Sequence, residues 1–280
     1  MNTIPGGPFL SGRNFPPSTL HNLEVKFGLN KPLIVQYFTY LTNAITGDLG
    51  LSIKYSDTTV SGIILMYFPT SAILGLLSIA ISMIIGTLLG ILSALRNNKF
   101  TDRAVMVAST IGTSVPSFVV ATVSMILFGV VWNILPTNGL DSIQSYILPA
   151  FALSFFPLSF VSRLMRSSML DVINQDYIKT ARAKGLKEST VIFKHALRNA
   201  ILPAVTYLGP LLASVLTGSF VIESVFNIPG LGKYFIESVQ QRDYPVILGT
   251  TIFYGTFLII MNFIVDILYL FIDPRIKLKN

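Results

Sequence analysis

Residues 69–95 of the chain read PTSAILGLLSIAISMIIGTLLGILSAL, without a single Asp, Glu, Lys or Arg. An α-helix crosses the roughly 30 Å hydrocarbon core of a bilayer with about 20 predominantly apolar residues. The stretch is apolar throughout, whereas a barrel strand alternates apolar and polar positions over about ten residues. It therefore predicts a transmembrane helix and an all-α membrane fold.

Further stretches of the same kind follow this one along the chain. They are residues 104–135, 143–162, 201–222 and 246–272, the last interrupted only by Asp266. The whole chain is 52% hydrophobic and 12% charged, whereas a soluble domain carries roughly 25% charged residues. We predict a multi-pass protein of the cell membrane with about five transmembrane helices, in which residues 69–280 form the transmembrane domain.

Basic residues are concentrated in alternate connections between the predicted spans. Residues 96–103, 163–200 and those after 272 hold most of the 20 Lys and Arg residues, whereas 136–142 holds none. Because cytoplasmic loops are enriched in Lys and Arg, we predict that these three basic segments, including the C-terminus, are cytoplasmic. The net charge of +7 then favours anionic lipid as the partner over nucleic acid.

The same topology places residues 1–68 outside the cytoplasm as an extracytoplasmic segment. The sequence begins MNTIPGGP and offers neither a signal peptide nor an apolar stretch to export this segment. We expect that a further transmembrane helix precedes it in the complete subunit, which would then have six. The alternative is a natural five-helix protein whose first span translocates the N-terminal segment.

The long basic segment 163–200 has a helical pattern. Residues 176–184 are good helix formers and end at Gly185, the residue type that best tolerates a left-handed helix C-cap. Residues 187–199 place Val191, Lys194, His195 and Arg198 at helical spacing before Leu-Pro opens the fourth span. We predict two short helices joined at a glycine, and the alternative is an ordinary positive-inside loop.

Two features inside the spans stand out. Asp266 is an acid within a span, and such acids are functional candidates, although its position near the cytoplasmic end of the last helix favours a structural hydrogen bond or ion pair with neighbours on its helix face. The first span carries a seam of small residues at every fourth position, which lets membrane helices approach closely. Its members are Ser78, Ser82, Gly86, Gly90 and Ala94.

Particular motifs give the sequence a family resemblance. TARAKG at 180–185, HALRN at 195–199 and Leu202-Pro203 resemble the inner-membrane permeases of binding-protein-dependent ABC importers, specifically the B-type subunit of the oligopeptide, dipeptide and nickel family. The resemblance continues through most of the chain, in PGGP at 5–8, GDLG at 47–50, GSFVIE at 218–223, PGLG at 229–232 and RDY at 242–244.

The resemblance implies a type I ABC importer permease fold and a coupling helix that docks on a separate ATPase. The implied coupling residues are Asp176, Tyr177, Lys179, Thr180, Ala181, Arg182, Ala183, Lys184, Gly185 and Leu186. It also implies an external gate in the outer segment 223–245, with Glu223, Pro229 and Gly230 as candidates. The implied partners are a homologous second permease subunit, two ATP-binding subunits and an extracytoplasmic solute-binding protein.

The sequence also weighs against other classes of function. It has no cysteine, its histidines His21 and His195 lie outside the spans, and Gly232-Lys233 lacks the rest of a phosphate loop. We therefore predict no catalytic, metal or cofactor site and a transport subunit without its own ATPase. A secondary carrier is the main rival, but no internal repeat or central charged pair supports it. Peptides are the expected substrate, with nickel or another small solute as the alternative.

Overall fold

The computed structural model describes residues 21, 25, 28–55, 57–216 and 220–272. Within these residues the regular elements are helices, apart from one isolated antiparallel bridge between Leu51 and Thr59, which confirms the predicted all-α fold. The helices are α1 Leu33–Ile45, α2 Val60–Leu95, α3 Phe100–Ser114, α4 Ser117–Ser124, α5 Ile147–Ile173, α6 Asp176–Ala183, α7 Leu202–Leu216, α8 Phe220–Val225, α9 Leu231–Gln241 and α10 Tyr244–Ile272.

Several of the described helices are long and apolar enough to cross a membrane. They are Val60–Leu95, Ile143–Ile173 counted with its short 3₁₀ start, and Tyr244–Val265. A fourth span is added if the bent pair Phe100–Ser114 and Ser117–Val131 counts as one, and α7 contributes the shorter apolar stretch Leu202–Leu212. Among the described residues, three of the predicted spans are matched by long helices, the second only by a broken element, and the fourth only in part by the shorter α7.

The predicted span 104–135 is not one straight helix, because α3 and α4 meet at a bend of 106°. Val115 has an extended backbone with ψ of 124° and Pro116 has ψ of 142°. The ring of a proline disfavours helical geometry in the residue before it, so the helix ends ahead of Pro116. Beyond α4 the chain continues as a π-helical turn over Met125–Val131.

Other helix bounds also differ from those expected. Helix α2 begins at Val60, ahead of the predicted start at 69, and continues through Pro69. Helix α5 runs through Pro157 and ends at Ile173, so it extends well into the segment predicted as a cytoplasmic connection from 163. A charge-free stretch marks only the apolar part of a helix. The helix itself extends past that part, because its backbone hydrogen bonds continue there.

The chain forms two compact units. The smaller unit comprises Met1–Thr70 and Pro229–Thr256, and the larger comprises Ser71–Ile228 and Phe257–Asn280. In the smaller unit, the start of α2 packs on α9 and the start of α10. The buried side chains of this core are Val60, Ile63, Ile64, Leu231 and Val246.

The larger unit is centred on α5, which packs against α2, α3, α4 and α7. The predicted small-residue seam makes part of this packing. A Cβ atom at Gly90 would lie 2.5 Å from the Cβ of Met165, and one at Gly86 would lie 3.0 Å from that of Val161. Side chains larger than hydrogen would push these helices apart, so the seam permits their close approach, as predicted.

Candidate functional site

Helix α6 is fixed to the larger unit by a narrow apolar face. Ile178 and Ala181, three positions apart, are buried, and Ile178 is fully so. They share a core with α5 and with the helical stretch that follows α6. The other buried members of this core are Ile91, Ala94, Val161, Met165, Met169, Val191, Ile192, Ala196, Ala200 and Ala204.

The remaining residues of the predicted coupling segment lie on the surface. The exposed ones are Asp176, Tyr177, Lys179, Thr180, Arg182, Ala183, Lys184, Gly185 and Leu186. Lys179 donates a hydrogen bond of 2.9 Å to Asp176, and the amide of Asn199 donates one of 2.7 Å to the Tyr177 hydroxyl. The segment thus presents a polar, mixed-charge face while two apolar side chains hold it to the core.

The turn after α6 has the predicted left-handed geometry. Gly185 has φ of +74° and its N–H donates to the carbonyl of Arg182 at 2.9 Å. Positive φ is strained for residues that carry a Cβ atom, and glycine adopts it freely. The prediction of a glycine turn between two helical segments is therefore confirmed.

Across this turn, Arg182 forms a two-pronged ion pair with Glu188. Its Nη2 and Nε atoms donate to the two carboxylate oxygens at 2.7 and 3.2 Å. The hydrogen bonds from Arg182 hold the pKa of Glu188 below its ordinary value. The pair links the end of α6 to the start of the next segment.

The second predicted helix of this segment is present but irregular. It consists of Glu188–Thr190, a π-helical turn over Val191–Ala196, and Leu197–Ala200. Val191 is fully buried, whereas Lys194 and Arg198 are exposed. The four residues predicted at helical spacing therefore do not share one environment.

The predicted gate residues occupy different places. Glu223 on α8 is fully buried in the larger unit, where the Ser71 hydroxyl donates to its carboxylate at 2.8 Å. Pro229 is exposed in the smaller unit, and the adjacent Gly230 is buried as the N-cap of α9. The side chain of Asp266, the intramembrane candidate, lies outside the described residues.

Asp102 is a polar centre that sequence reasoning missed. This carboxylate at the start of α3 is 3% exposed and receives two hydrogen bonds from Arg166, of 2.6 and 2.7 Å. The Ser93 hydroxyl donates to it at 2.5 Å and the Asn98 backbone at 2.8 Å. Asp102 is an acid among the bases of segment 96–103, and this was the signal that could have singled it out.

The smaller unit contains a second missed carboxylate, Asp243. It is fully buried and accepts a hydrogen bond from the Ser52 hydroxyl. The backbone N–H groups of Ile53 and Lys54 each donate to it at 3.2 Å. Asp243 belongs to the RDY motif that resembles the permease family, so its position was marked although its role was not.

Tyrosines line a cavity of about 200 Å³ in the smaller unit. The Tyr234 hydroxyl donates to that of Tyr67 at 2.6 Å, and their rings stack with centroids 3.8 Å apart. Burial raises the pKa of the neighbouring Tyr55, and the negative charge of Glu237 raises it further. The lining residues are Tyr55, Thr58, Gly62, Ile63, Met66, Tyr67 and Tyr234.

Among the described residues, no group of three or more His, Cys, Asp and Glu side chains is placed to hold a metal ion. What these residues form instead is a set of polar contacts between chain segments far apart in sequence. The candidates for a functional role are thus the exposed face of α6, the Asp102 centre and the polar groups of the smaller unit.

Comparison with known proteins gives these features a context. Residues 86–278 match the family model described as binding-protein-dependent transport system inner membrane component. A dipeptide transport system permease protein of Bacillus subtilis is 49% identical over 280 residues, covering 100% of this chain and 91% of that protein. An oligopeptide transport system permease protein of Haemophilus influenzae is 44% identical over 279 residues, covering 99% and 91%.

Solved structures show the same fold at low sequence identity. An inward-facing MetNI methionine ABC transporter matches 75% of this chain and 96% of its own, with a TM-score of 0.64 and 16% identity. An amino acid ABC transporter solved with histidines matches 74% and 92%, with a TM-score of 0.57 and 15% identity. The chain therefore belongs to the family of binding-protein-dependent transport system inner membrane components and has the fold of an ABC importer permease.

Proposed function

We propose that this chain is the B-type permease subunit of an ATP-driven importer of dipeptides or oligopeptides. It pairs with a homologous permease subunit, and two separate ATP-binding subunits hydrolyse ATP. An extracytoplasmic binding protein delivers the peptide. The relatives named for dipeptide and oligopeptide transport supply the substrate class, and their match over nearly the whole chain supports it.

The arrangement of α6 is the observation that carries the coupling role. Its Ile178 and Ala181 are buried in the same core as Met165 and Met169 of α5. A short helix held in this way moves with the helix on which it packs, and rigid-body motions of this kind produce alternating access. The exposed face of α6 is the surface that we assign to the ATPase.

Contacts between distant segments support the proposed sidedness. Segments 96–103 and 163–200, both proposed as cytoplasmic, meet where Arg166 binds Asp102. Segments 1–68 and 223–245, both proposed as outer, meet where Ser52 binds Asp243 and again where Tyr67 binds Tyr234. Loops on opposite sides of a bilayer core of roughly 30 Å could not make such contacts.

The outer segments form the surface to which the binding protein docks. Pro229 is exposed in the smaller unit, and the tyrosine cavity lies in the same unit. Glu223 is buried, so we assign it a role in holding α8 rather than direct contact with the peptide. In this arrangement the gate opens through movement of the elements around Gly230, the N-cap of α9.

Co-purification tests the proposal. The chain is expressed from its operon, and we expect an ATPase subunit to elute with it from detergent. Gly185→Asp should abolish this association, because it strains the turn and adds negative charge to the α6 face. The matched control is Gly47→Asp, since Gly47 also has positive φ and open space around it, but it lies in the proposed outer segment.

Transport assays with the purified complex also identify the substrate. Reconstituted with its binding protein, it should accumulate a radiolabelled dipeptide or oligopeptide in proteoliposomes only when ATP is supplied on the ATPase side. Accumulation of Ni²⁺ without peptide uptake would replace the proposed substrate class with a metal chelate. Peptide uptake driven by an ion gradient without ATP would instead favour a secondary carrier.

A further inference from the structure

The Asp102 centre joins parts of the chain that the coupling role requires to move together. Its carboxylate receives hydrogen bonds from Ser93 in the last turn of α2, from the backbone of Asn98 in the following turn, and from Arg166 on α5. The same arginine also donates to the side chain of Asn97 at 3.1 Å. One buried carboxylate therefore ties together α2, α3 and α5.

The Arg166 side of this centre leads directly to α6. Met165 precedes Arg166 in α5, and Met169 follows one turn later. Both methionines are fully buried in the core that holds Ile178 and Ala181 of α6. The helix that bears the arginine is thus the helix on which α6 is packed.

The apolar contacts next to this centre fix the distance between α2 and α5 but not how one helix is shifted or rotated along the other. The close approach at Gly90 and Met165 brings α2 and α5 together, yet van der Waals contacts between smooth helix faces give each atom pair only about 0.1–0.2 kcal/mol. A two-pronged bond from a guanidinium to a carboxylate is directional and adds geometric specificity. It therefore helps to set the register of α5 against α2 and α3, to which Ser82 and Arg163 also contribute hydrogen bonds.

A buried ion pair contributes little to stability compared with well-packed apolar residues of similar volume. Asp102 is nearly inaccessible and Arg166 is mostly covered. Stabilisation of the fold is therefore a weak explanation for the presence of this pair. Fixed register is what such a pair supplies in addition to stability. Transmission of a movement from α6 to the membrane helices needs that register.

We propose that Asp102 and Arg166 are positioning residues for transport, whose ion pair makes α2, α3 and α5 follow α6 as one body when the ATPase moves it. This inference rests on the proposed function. Neither residue touches peptide or nucleotide. Their role is to convert a displacement of α6 into a displacement of the membrane helices.

The test uses the complete complex in proteoliposomes with its binding protein. The main variant is the double substitution Asp102→Asn with Arg166→Gln, which removes both charges and keeps hydrogen-bonding groups for Ser93 and Asn98. We expect it to co-purify with the ATPase, to hydrolyse ATP with an unchanged KM, and to lose about tenfold in stimulation by loaded binding protein. Peptide uptake per ATP should fall in parallel.

Matched variants isolate the ion pair from its surroundings. Arg166→Lys keeps the charge but loses the two-pronged geometry, so we expect an intermediate loss of stimulation. Thr101→Val removes the exposed hydrogen bond that Arg96 makes in the same turn and should behave as the wild type. Wild-type stimulation in the double variant would overturn the inference.

Each remaining outcome is also decisive. If the double variant fails to assemble, stimulation of the Arg166→Lys complex by loaded binding protein becomes the test. Normal stimulation in that variant counts against the inference. A wild-type complex that retains no ATPase, or that the binding protein does not stimulate, would instead refute the proposed function itself. The two failures are therefore distinguishable within one set of measurements.

Discussion

Asp102 of the larger unit and Asp243 of the smaller unit are both buried carboxylates that accept from a serine hydroxyl and from backbone N–H groups, and Asp102 accepts from a guanidinium as well. Asp102 receives a charged guanidinium from α5. Asp243 accepts from a hydroxyl and from the backbone N–H groups of Ile53 and Lys54. The first arrangement pairs two charged side chains from different helices, and the second holds a loop backbone to the turn that follows α9.

This difference matters because the two carboxylates leave different groups behind when they are removed. Without Asp102, a mostly covered guanidinium loses its counter-charge. Without Asp243, the Ser52 hydroxyl and the backbone N–H groups of Ile53 and Lys54 lose an acceptor. A comparison of variants at both positions therefore measures how strongly each unit depends on its carboxylate.

The largest effect is expected for Asp102→Ala. Removal of one partner from a buried ion pair costs about 3–5 kcal/mol of unfolding free energy, because the other charge stays buried and uncompensated. Thermal unfolding of the detergent-solubilised protein measures this loss. The double variant Asp102→Ala with Arg166→Met should recover much of it, and equal instability of both variants would contradict the explanation.

A smaller loss is expected for Asp243→Ala. Hydrogen bonds to a charged group contribute about 1.5–3 kcal/mol, and backbone donors can turn partly toward water when the acceptor is lost. The matched control is Asp141→Ala, at an exposed aspartate of the larger unit whose backbone is not in the left-handed region. A loss at Asp243 equal to that of Asp102→Ala would remove the distinction between the two sites.

Tyr67→Phe should have a smaller effect again. It deletes the acceptor of the 2.6 Å hydrogen bond from Tyr234 but keeps the stacked rings. A neutral hydrogen bond of this kind contributes about 0.5–1.5 kcal/mol. Thermal unfolding beside Tyr37→Phe, an exposed tyrosine of the same unit, isolates the hydrogen bond, and identical midpoints would show that it contributes nothing.

The smallest effect is expected for Glu188→Gln, which breaks the exposed ion pair with Arg182. Exposed pairs contribute about 0–1 kcal/mol. Since Arg182 lowers the pKa of Glu188, the pair stabilises the protein above the ordinary glutamate pKa, and this contribution disappears as the pH falls through the lowered value. The difference in midpoint between wild type and variant should therefore be constant at neutral pH and vanish in acid.

Sequence patterns predicted the parts of this fold that depend on local chemistry. Charge-free stretches located the apolar helices, the small-residue seam in α2 marked where α5 approaches, and Gly185 marked the left-handed turn. The break at Pro116 was visible as a proline in a span. Its bend could not be inferred, because prolines at 69, 157 and 210 lie inside helices that continue through them.

The candidate site was predicted less completely, because it too depends on contacts between helices that a local sequence pattern does not reveal. The segment around α6 was recognised from its motif, but its division into a buried face and an exposed face depends on which helices lie beneath it. Glu223 was chosen as an external gate candidate from a motif, and the fold buries it against Ser71. The roles assigned to both regions stay predictions until they are tested.

The sequence alone determined that this chain is an all-helical membrane protein, because solubility in lipid and helix propensity are properties of contiguous residues, and its motifs gave the resemblance to importer permeases. Only the tertiary structure decided that Arg166 binds Asp102 and that Ser52 binds Asp243. These partners lie 64 and 191 positions apart, so no local pattern pairs them. Helix packing brings them together, and a buried carboxylate needs such hydrogen-bond partners to offset its lost hydration.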